Sequence, residues 1–314
     1  MFEAFKTPVA AVRNPYGPSR NPYDRDPLDD LPGVMVTGPF TEKVRARLTK
    51  LRPEALYLNG SRGWRCDDYG FLGELPGLQL LSVVAAQPTA PFPIAAIAGL
   101  RALHLDCALP QVTDLASLPA LRSCALTWSA AAKSLFGCRD LERLRLAGLR
   151  TKRFDSLSEL AALKALSLRG SNILSLEALS GLGRLVHLEL KVCRSLTGLN
   201  GVEALRGLRS LTVAEGHKVH DLAPLAALEK LEVLNLSDCG ELDSLAPLAG
   251  LRNLKAVAFA GARTTLRDGD LSPLLALPKL SMVMFGARRH YSHKIVKPWS
   301  WDNFDSPDRL LAPK

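Results

Sequence analysis

Leu163-x-x-Leu166-x-Leu168, Leu185-x-x-Leu188-x-Leu190, Leu208-x-x-Leu211-x-Val213 and Leu231-x-x-Leu234-x-Leu236 repeat one line of aliphatic residues every 22 to 23 positions. A fixed short period marks a solenoid, whose units bury their apolar faces only against their neighbours. The L-x-L half alternates with period two, as a short strand does, and sends its leucines inward. Upstream of the strand the period is three, as in Ile173, Leu176, Leu179, Leu182, Leu185, Leu188 and again in Leu271, Leu274, Leu277, Leu280, Val283. Three suits a 3₁₀ or polyproline-like turn better than an α-helix. Pro224, Pro247 and Pro273 fall on this arc, where a helix interior would reject them.

Working outward, the first aliphatic position of each strand gives eleven markers: Leu56, Leu81, Leu103, Cys124, Leu144, Leu166, Leu188, Leu211, Leu234, Val257 and Val283. They define an array over 41–286. Residues 1–40 are rich in proline and turn formers (Asn14-Pro15-Tyr16-Gly17-Pro18, Asn21-Pro22-Tyr23-Asp24) and are expected to form an extended arm or turns. Thr41 to Leu51, with Val44, Leu48 and Leu51 on one stripe, predicts a helix that caps the first coil. Residues 287–314 lose the period and gain Tyr291, Trp299, Trp301 and Phe304, which are expected to cover the last coil.

Apolar residues make up 47% of the 314 and aromatics only 6%, the composition of a regular aliphatic stack. No apolar run reaches the ~18–20 residues a membrane helix needs, and Met1–Pro15 lacks the apolar core of a secretory signal. The six cysteines form no C-x-x-C pair, so a reduced, cytoplasmic protein is expected, with most of them serving as small core hydrophobes. Of the net charge of +9, about +7 lies in the array, while the first forty residues carry −1.

The spaced leucines resemble leucine-rich repeats of the short, roughly 22-residue type found in bacterial internalins and in a eukaryotic regulator of protein phosphatase one. The resemblance implies an α/β solenoid: a curved array with a parallel sheet on the concave face and 3₁₀ or irregular turns on the convex face. Those families place asparagine three residues after the strand's second leucine. Here Ser171, Cys193, Gly216 and Cys239 stand at that position, so the turn carbonyls are expected to find other partners, water or tighter turns.

In such a sheet the outward side chains align in columns, which bring Arg143, Arg145, Arg169 and Lys191 onto nearby strands with His187 and Glu189 beside them. Guanidinium groups suit carboxylates and phosphates, so this cluster is the candidate partner-binding surface. Trp128, at a strand end, is a candidate rim anchor. The small or apolar outward residues Ala256, Ala258, Ala260, Met282 and Met284 offer a seat for a hydrophobic side chain, while Trp64, Tyr69 and Phe71 are expected to pack beneath the N-terminal cap. Ser82, His104, Asp106 and Cys107 supply nucleophile, base and acid by type, but without predicted oxyanion donors. His217-x-x-His220 and His290-x-x-His293 offer two ligands each, short of a structural zinc site. No cofactor motif is present. The expectation is a monomeric, non-enzymatic scaffold that binds an acidic protein partner, in the manner of a bacterial immunity or regulatory binder. The alternatives are a nucleic-acid binder using the same arginines, which lack interleaved stacking aromatics, and, more remotely, a hydrolase.

Overall fold

The computed structural model describes residues 9–15, 21–66, 68–84, 91–109, 111–150, 155–295 and 311–313. It divides into two compact units, Met1–Ala147 and Gly148–Lys314. The first unit holds β1 (Val9–Val12), β2 (Gly33–Val36), α1 (Glu42–Leu51), β3 (Ala55–Asn59), β4 (Leu80–Val84), β5 (Ala102–Leu105), β6 (Ser123–Thr127) and β7 (Arg143–Ala147). Strands β2 to β7 pair in parallel in chain order, and β1 closes the free edge of β2 antiparallel. In the second unit are α2 (Asp155–Ser158), β8 (Ala165–Arg169), β9 (His187–Lys191), β10 (Ser210–Ala214), β11 (Val233–Asn235), β12 (Glu241–Leu242), β13 (Ala256–Phe259), β14 (Thr265–Leu266), β15 (Met282–Phe285), β16 (His293–Ile295) and β17 (Leu311–Pro313). There β8, β9, β10, β11, β13 and β15 form the parallel ladder, β12 and β14 pair on the connecting arcs, and β16 pairs antiparallel with β17.

All eleven markers lie on strands and none is more than 4% exposed. They stand opposite one another in register, Leu56 to Leu81 to Leu103 to Cys124 to Leu144 in the first unit and Leu166 to Leu188 to Leu211 to Leu234 to Val257 to Val283 in the second. The arcs are 3₁₀ turns, and Pro224, Pro247 and Pro273 occupy their first turns, where a missing N–H costs nothing. The fold is the α/β solenoid of parallel strands and 3₁₀ turns that the leucine period implies.

Three local results go beyond the sequence reading. The arm contributes β1 and β2, and Val34 pairs in register with Leu56, so strand pairing begins one step before the first marker. Helix α1 is capped by the Thr41 hydroxyl, which accepts from the Val44 amide, and buries Val44 and Leu48. Leu51 falls off the buried stripe and is exposed, and the sheet edge here is covered by β2 and β1 rather than by the helix. At the position usually held by asparagine, cysteine thiols reach the carbonyls directly. Cys239 Sγ donates to the Val213 carbonyl at 3.3 Å, and Cys193 Sγ lies 3.6 Å from both the Leu168 and the Lys191 carbonyls, which share its one proton. These thiols supply weak donors in place of the asparagine amide.

Near the C-terminus the Phe259 and Phe285 rings stack at 5.1 Å, and buried Tyr291 meets the Phe285 ring edge-on at 5.7 Å. The Tyr291 hydroxyl accepts the Leu266 amide at 3.0 Å, which fixes the ring over the last coil. Trp299, Trp301 and Phe304 lie outside the described residues.

Candidate functional site

In the first unit the outward residues of β3 to β7 form two columns: Ala55, Leu80, Ala102, Ser123, Arg143 and Tyr57, Ser82, His104, Ala125, Arg145. The chain's own stretch 23–31 lies across them. Asp24 Oδ2 is 3.0 Å from Arg145 Nη2, the Asp24 carbonyl accepts from the same nitrogen at 3.1 Å, and Arg143 Nη1 reaches the Tyr23 carbonyl at 3.5 Å. Asp26 caps the 3₁₀ turn Pro27–Asp30, its Oδ1 accepting the Leu28 amide at 3.0 Å, while its Oδ2 lies 3.9 Å from His104 Nε2. Leu28 packs with Met35, Ala55, Tyr57, Leu80 and Ala102, a small second core on the face opposite the leucines. Burial raises the Asp29 carboxyl and the nearby Asp26 charge raises it further, against the lowering pull of Arg145 and Arg143.

His104 therefore works in a structural setting. Both Ser123 Oγ, at 3.0 Å, and Asp26 approach the same ring nitrogen, Nε2, so no serine–histidine–acid relay runs through the imidazole. Ser82 is buried beside it, and Asp106 is exposed. Burial pushes the Cys107 thiol up to about 11, with the Asp106 charge adding to it, which leaves too little thiolate for a nucleophile near neutrality. Burial also lowers the His104 pKa, to about 4, with Asp26 opposing and Arg145 assisting. The unfolded chain thus takes up this proton first as pH falls, and stability drops between about pH 6.5 and pH 4. Replacing His104 with glutamine should flatten that fall by on the order of 1–2 kcal/mol at pH 5. Thermal melts of both chains at pH 7.5 and pH 5 would check it, and parallel pH curves would refute it.

The second unit presents the other half of the expected cluster. Arg169 is exposed at the end of β8 and forms no ion pair among the described residues. Lys191 Nζ bonds Glu189 Oε1 at 2.6 Å, and Ser167 Oγ donates to Glu189 Oε2 at 2.7 Å. Burial raises the Glu189 carboxyl, but these two bonds outweigh it and hold the group ionised below its usual range. Lys191 is thus largely satisfied at home. His187, expected on the open surface, is 1% exposed, with Nδ1 and Ser210 Oγ 3.1 Å apart. Its outward direction is as alternation requires, yet the ring is enclosed and offers a partner nothing to touch.

Trp128, just past the end of β6, is half-buried and packs on Phe136, ring centroids 5.1 Å apart. Trp64, Tyr69 and Phe71 are buried, with Tyr69 between Trp64 and Phe92 and Phe71 against Phe40. Met284 is exposed and Ala258, Ala260 and Met282 are half-buried, while Ala256 is covered. His217 and His220 go separate ways, to Arg263 and to the Glu241 carbonyl, and His290 turns to the Leu266 carbonyl. No metal-binding group of side chains occurs among the described residues, and no described helix is long and apolar enough to cross a membrane.

No protein-family model and no curated sequence matches the chain. Solved structures do. An internalin of Listeria monocytogenes, InlF, is 18% identical with a TM-score of 0.55, covering 82% of this chain and 83% of its own. Internalin C2 of the same organism is 26% identical with a TM-score of 0.50, covering 61% and 83%. The Arabidopsis receptor kinase HAESA, solved with the peptide hormone IDA and the co-receptor SERK1, is 20% identical with a TM-score of 0.51, covering 75% of this chain and 43% of that one. The chain has the leucine-rich repeat fold that these internalins share.

Proposed function

We propose that this protein is a non-enzymatic interaction scaffold that takes an acidic protein segment on the outward face of its strands. The observation that carries the reading is the Arg145–Asp24 pair: the face already holds a carboxylate, and it does so with an arginine side chain that stays 42% exposed. Arg143 and Arg145 serve in the first unit, Arg169 with the Glu189–Lys191 pair in the second, and Trp128 offers a rim contact. A peptide-bound protein with a similar fold is the HAESA receptor kinase, solved in complex with a peptide hormone. A cytoplasmic setting belongs to the same proposal and is supported by Cys193 and Cys239, which bond as thiols. A bacterial regulatory or immunity role fits a binder of this kind.

The test is capture from a lysate at two salt concentrations by the parent chain and by a chain with Arg143, Arg145 and Arg169 reversed to glutamate. Acidic proteins retained by the parent should be lost from the reversed chain by tenfold or more, since charge-assisted bonds become repulsions. An unchanged set of retained proteins would defeat the reading. Retained nucleic acid with a steep loss on raising salt would point instead to phosphate binding.

A further inference from the structure

We propose that the outward face of β3–β7 is a groove for a segment of the form Asp-x-Asp-x-Leu, filled in this structure by the chain's own Asp24–Leu28, and that a partner enters by displacing it. The proposal rests on the acidic-partner reading above and names the element such a partner would carry and the competitor it meets.

Three seats define the groove. The first is Arg145 with Arg143, which take a carboxylate and two successive backbone carbonyls. His104 beside Ser123 makes the second, a polar floor on which Asp26 sits. Ala55, Tyr57, Leu80 and Ala102 make the third and enclose Leu28. These seats lie on β7, on β5 with β6, and on β3 to β5, so the occupant runs across the strands from β7 back toward β3. An apolar leucine at an outward position, Leu80, is explained by this occupant and not by the repeat.

The way the segment is held makes it exchangeable. Its backbone–backbone hydrogen bonds are local: the Asp24 amide to the Asn21 carbonyl, Asp29 to Asp26 and Leu31 to Leu28. Strands β3 to β7 pair with one another, so no ladder bond need break for the segment to leave. The turn carries its own cap, Asp26, and Pro27 in its first turn, both of which reduce the entropy that a peptide of this sequence loses on docking. The self-fit is also incomplete. Asp26 is 3% exposed, and its Oδ2 has no hydrogen-bond partner among the described residues. An occupant whose carboxylate reaches His104 or Ser123 more closely has something to gain. Against it stands the tether through β1 and β2, which holds the segment at an effective concentration of the order of millimolar.

The probe is a fluorescent peptide of sequence 21–32, Asn-Pro-Tyr-Asp-Arg-Asp-Pro-Leu-Asp-Asp-Leu-Pro, offered to the full chain. A chain loosened by Asp24→Ala and Leu28→Ala should bind it at least tenfold more tightly than the parent, and adding Arg145→Glu should abolish the gain. Equal binding by loosened and parent chains, or binding indifferent to Arg145→Glu, would overturn the proposal. If the loosened chain fails to fold, the parent decides: millimolar peptide should speed hydrogen exchange at the Leu28 and Leu31 amides, and unaltered exchange would refute displacement. A loosened chain that sediments as a dimer would show a second copy, not a partner, to be the occupant, and would also refute it. The peptide assay uses none of the captured proteins, so it can fail while acidic capture through Arg169 stands, and the reverse.

Discussion

Leu188→Asp is expected to lower the melting temperature of the second unit by about 10 °C or more. Leu188 is fully buried on β9, flanked in register by Leu166 and Leu211. No lysine or arginine is buried among the described residues to pair with a carboxylate there, and an unpaired buried charge together with the lost leucine costs several kcal/mol. Stability scales as a sum of repeats and interfaces, so one broken interior repeat uncouples those on either side of it. Circular dichroism melts would measure the effect. A transition within a degree or two of the parent would mean that the leucines do not form the interior.

Gly201→Ala is the second large effect, and it acts through the backbone. Gly201 has φ of +97°, a region that side chains avoid, and an added Cβ would stand 2.2 Å from the Glu177 nitrogen and 2.5 Å from the Leu176 carbonyl carbon. The obstacle is the main chain of the preceding repeat, which the hydrogen bond from the Leu176 amide to the Asn200 carbonyl holds in place. Two arcs would have to part, and a loss of at least ~3 kcal/mol is expected. Gly250 is the matched control, since nothing lies within 4 Å of its added Cβ. Alanine there should be neutral within ~1 kcal/mol, or slightly stabilising. Equal melting temperatures for the two variants would show that the arcs are not packed as described.

The interior was legible because it is periodic. Each marker leucine repeats the same local environment, so each repeat is fixed by its neighbours, and spacing alone puts Cys124 on the same buried column. The arm was not legible for the opposite reason. Asp24 and Arg145 are 121 residues apart, and no local pattern announces such a pairing. Strand β2 escaped because Val34-x-Val36 follows a proline- and aspartate-rich stretch and carries no leucine. Two signals did exist: Leu80 at an outward position, and Asp26-Pro27-Leu28-Asp29-Asp30, a turn with its own cap. Alternation gave the direction of His187 but not its enclosure, which depends on neighbours such as Ser210. The turns after β9, β10 and β11 would also mislead a reader who expects glycine at φ > 0. Val192, Glu215 and Asp238 take left-handed values where Gly148, Gly170 and Gly261 do so in other repeats, which shows stacking overriding residue preference.

The direction in which the arm crosses the sheet has a consequence for how this surface could diversify. A chain added along a sheet edge is read through its backbone, and its neighbours share every bond. A chain laid at right angles to the strands meets a fresh repeat every few ångströms, and each repeat offers it one or two side chains. Tyr23 and Asp24 answer to Arg143 and Arg145, Asp26 to His104 beside Ser123, and Leu28 to Ala55, Tyr57, Leu80 and Ala102, so the three seats are read by separate side chains, not one composite pocket. A substitution in a single strand would then rewrite one letter of the recognised segment and leave the others, and the buried leucines beneath, untouched.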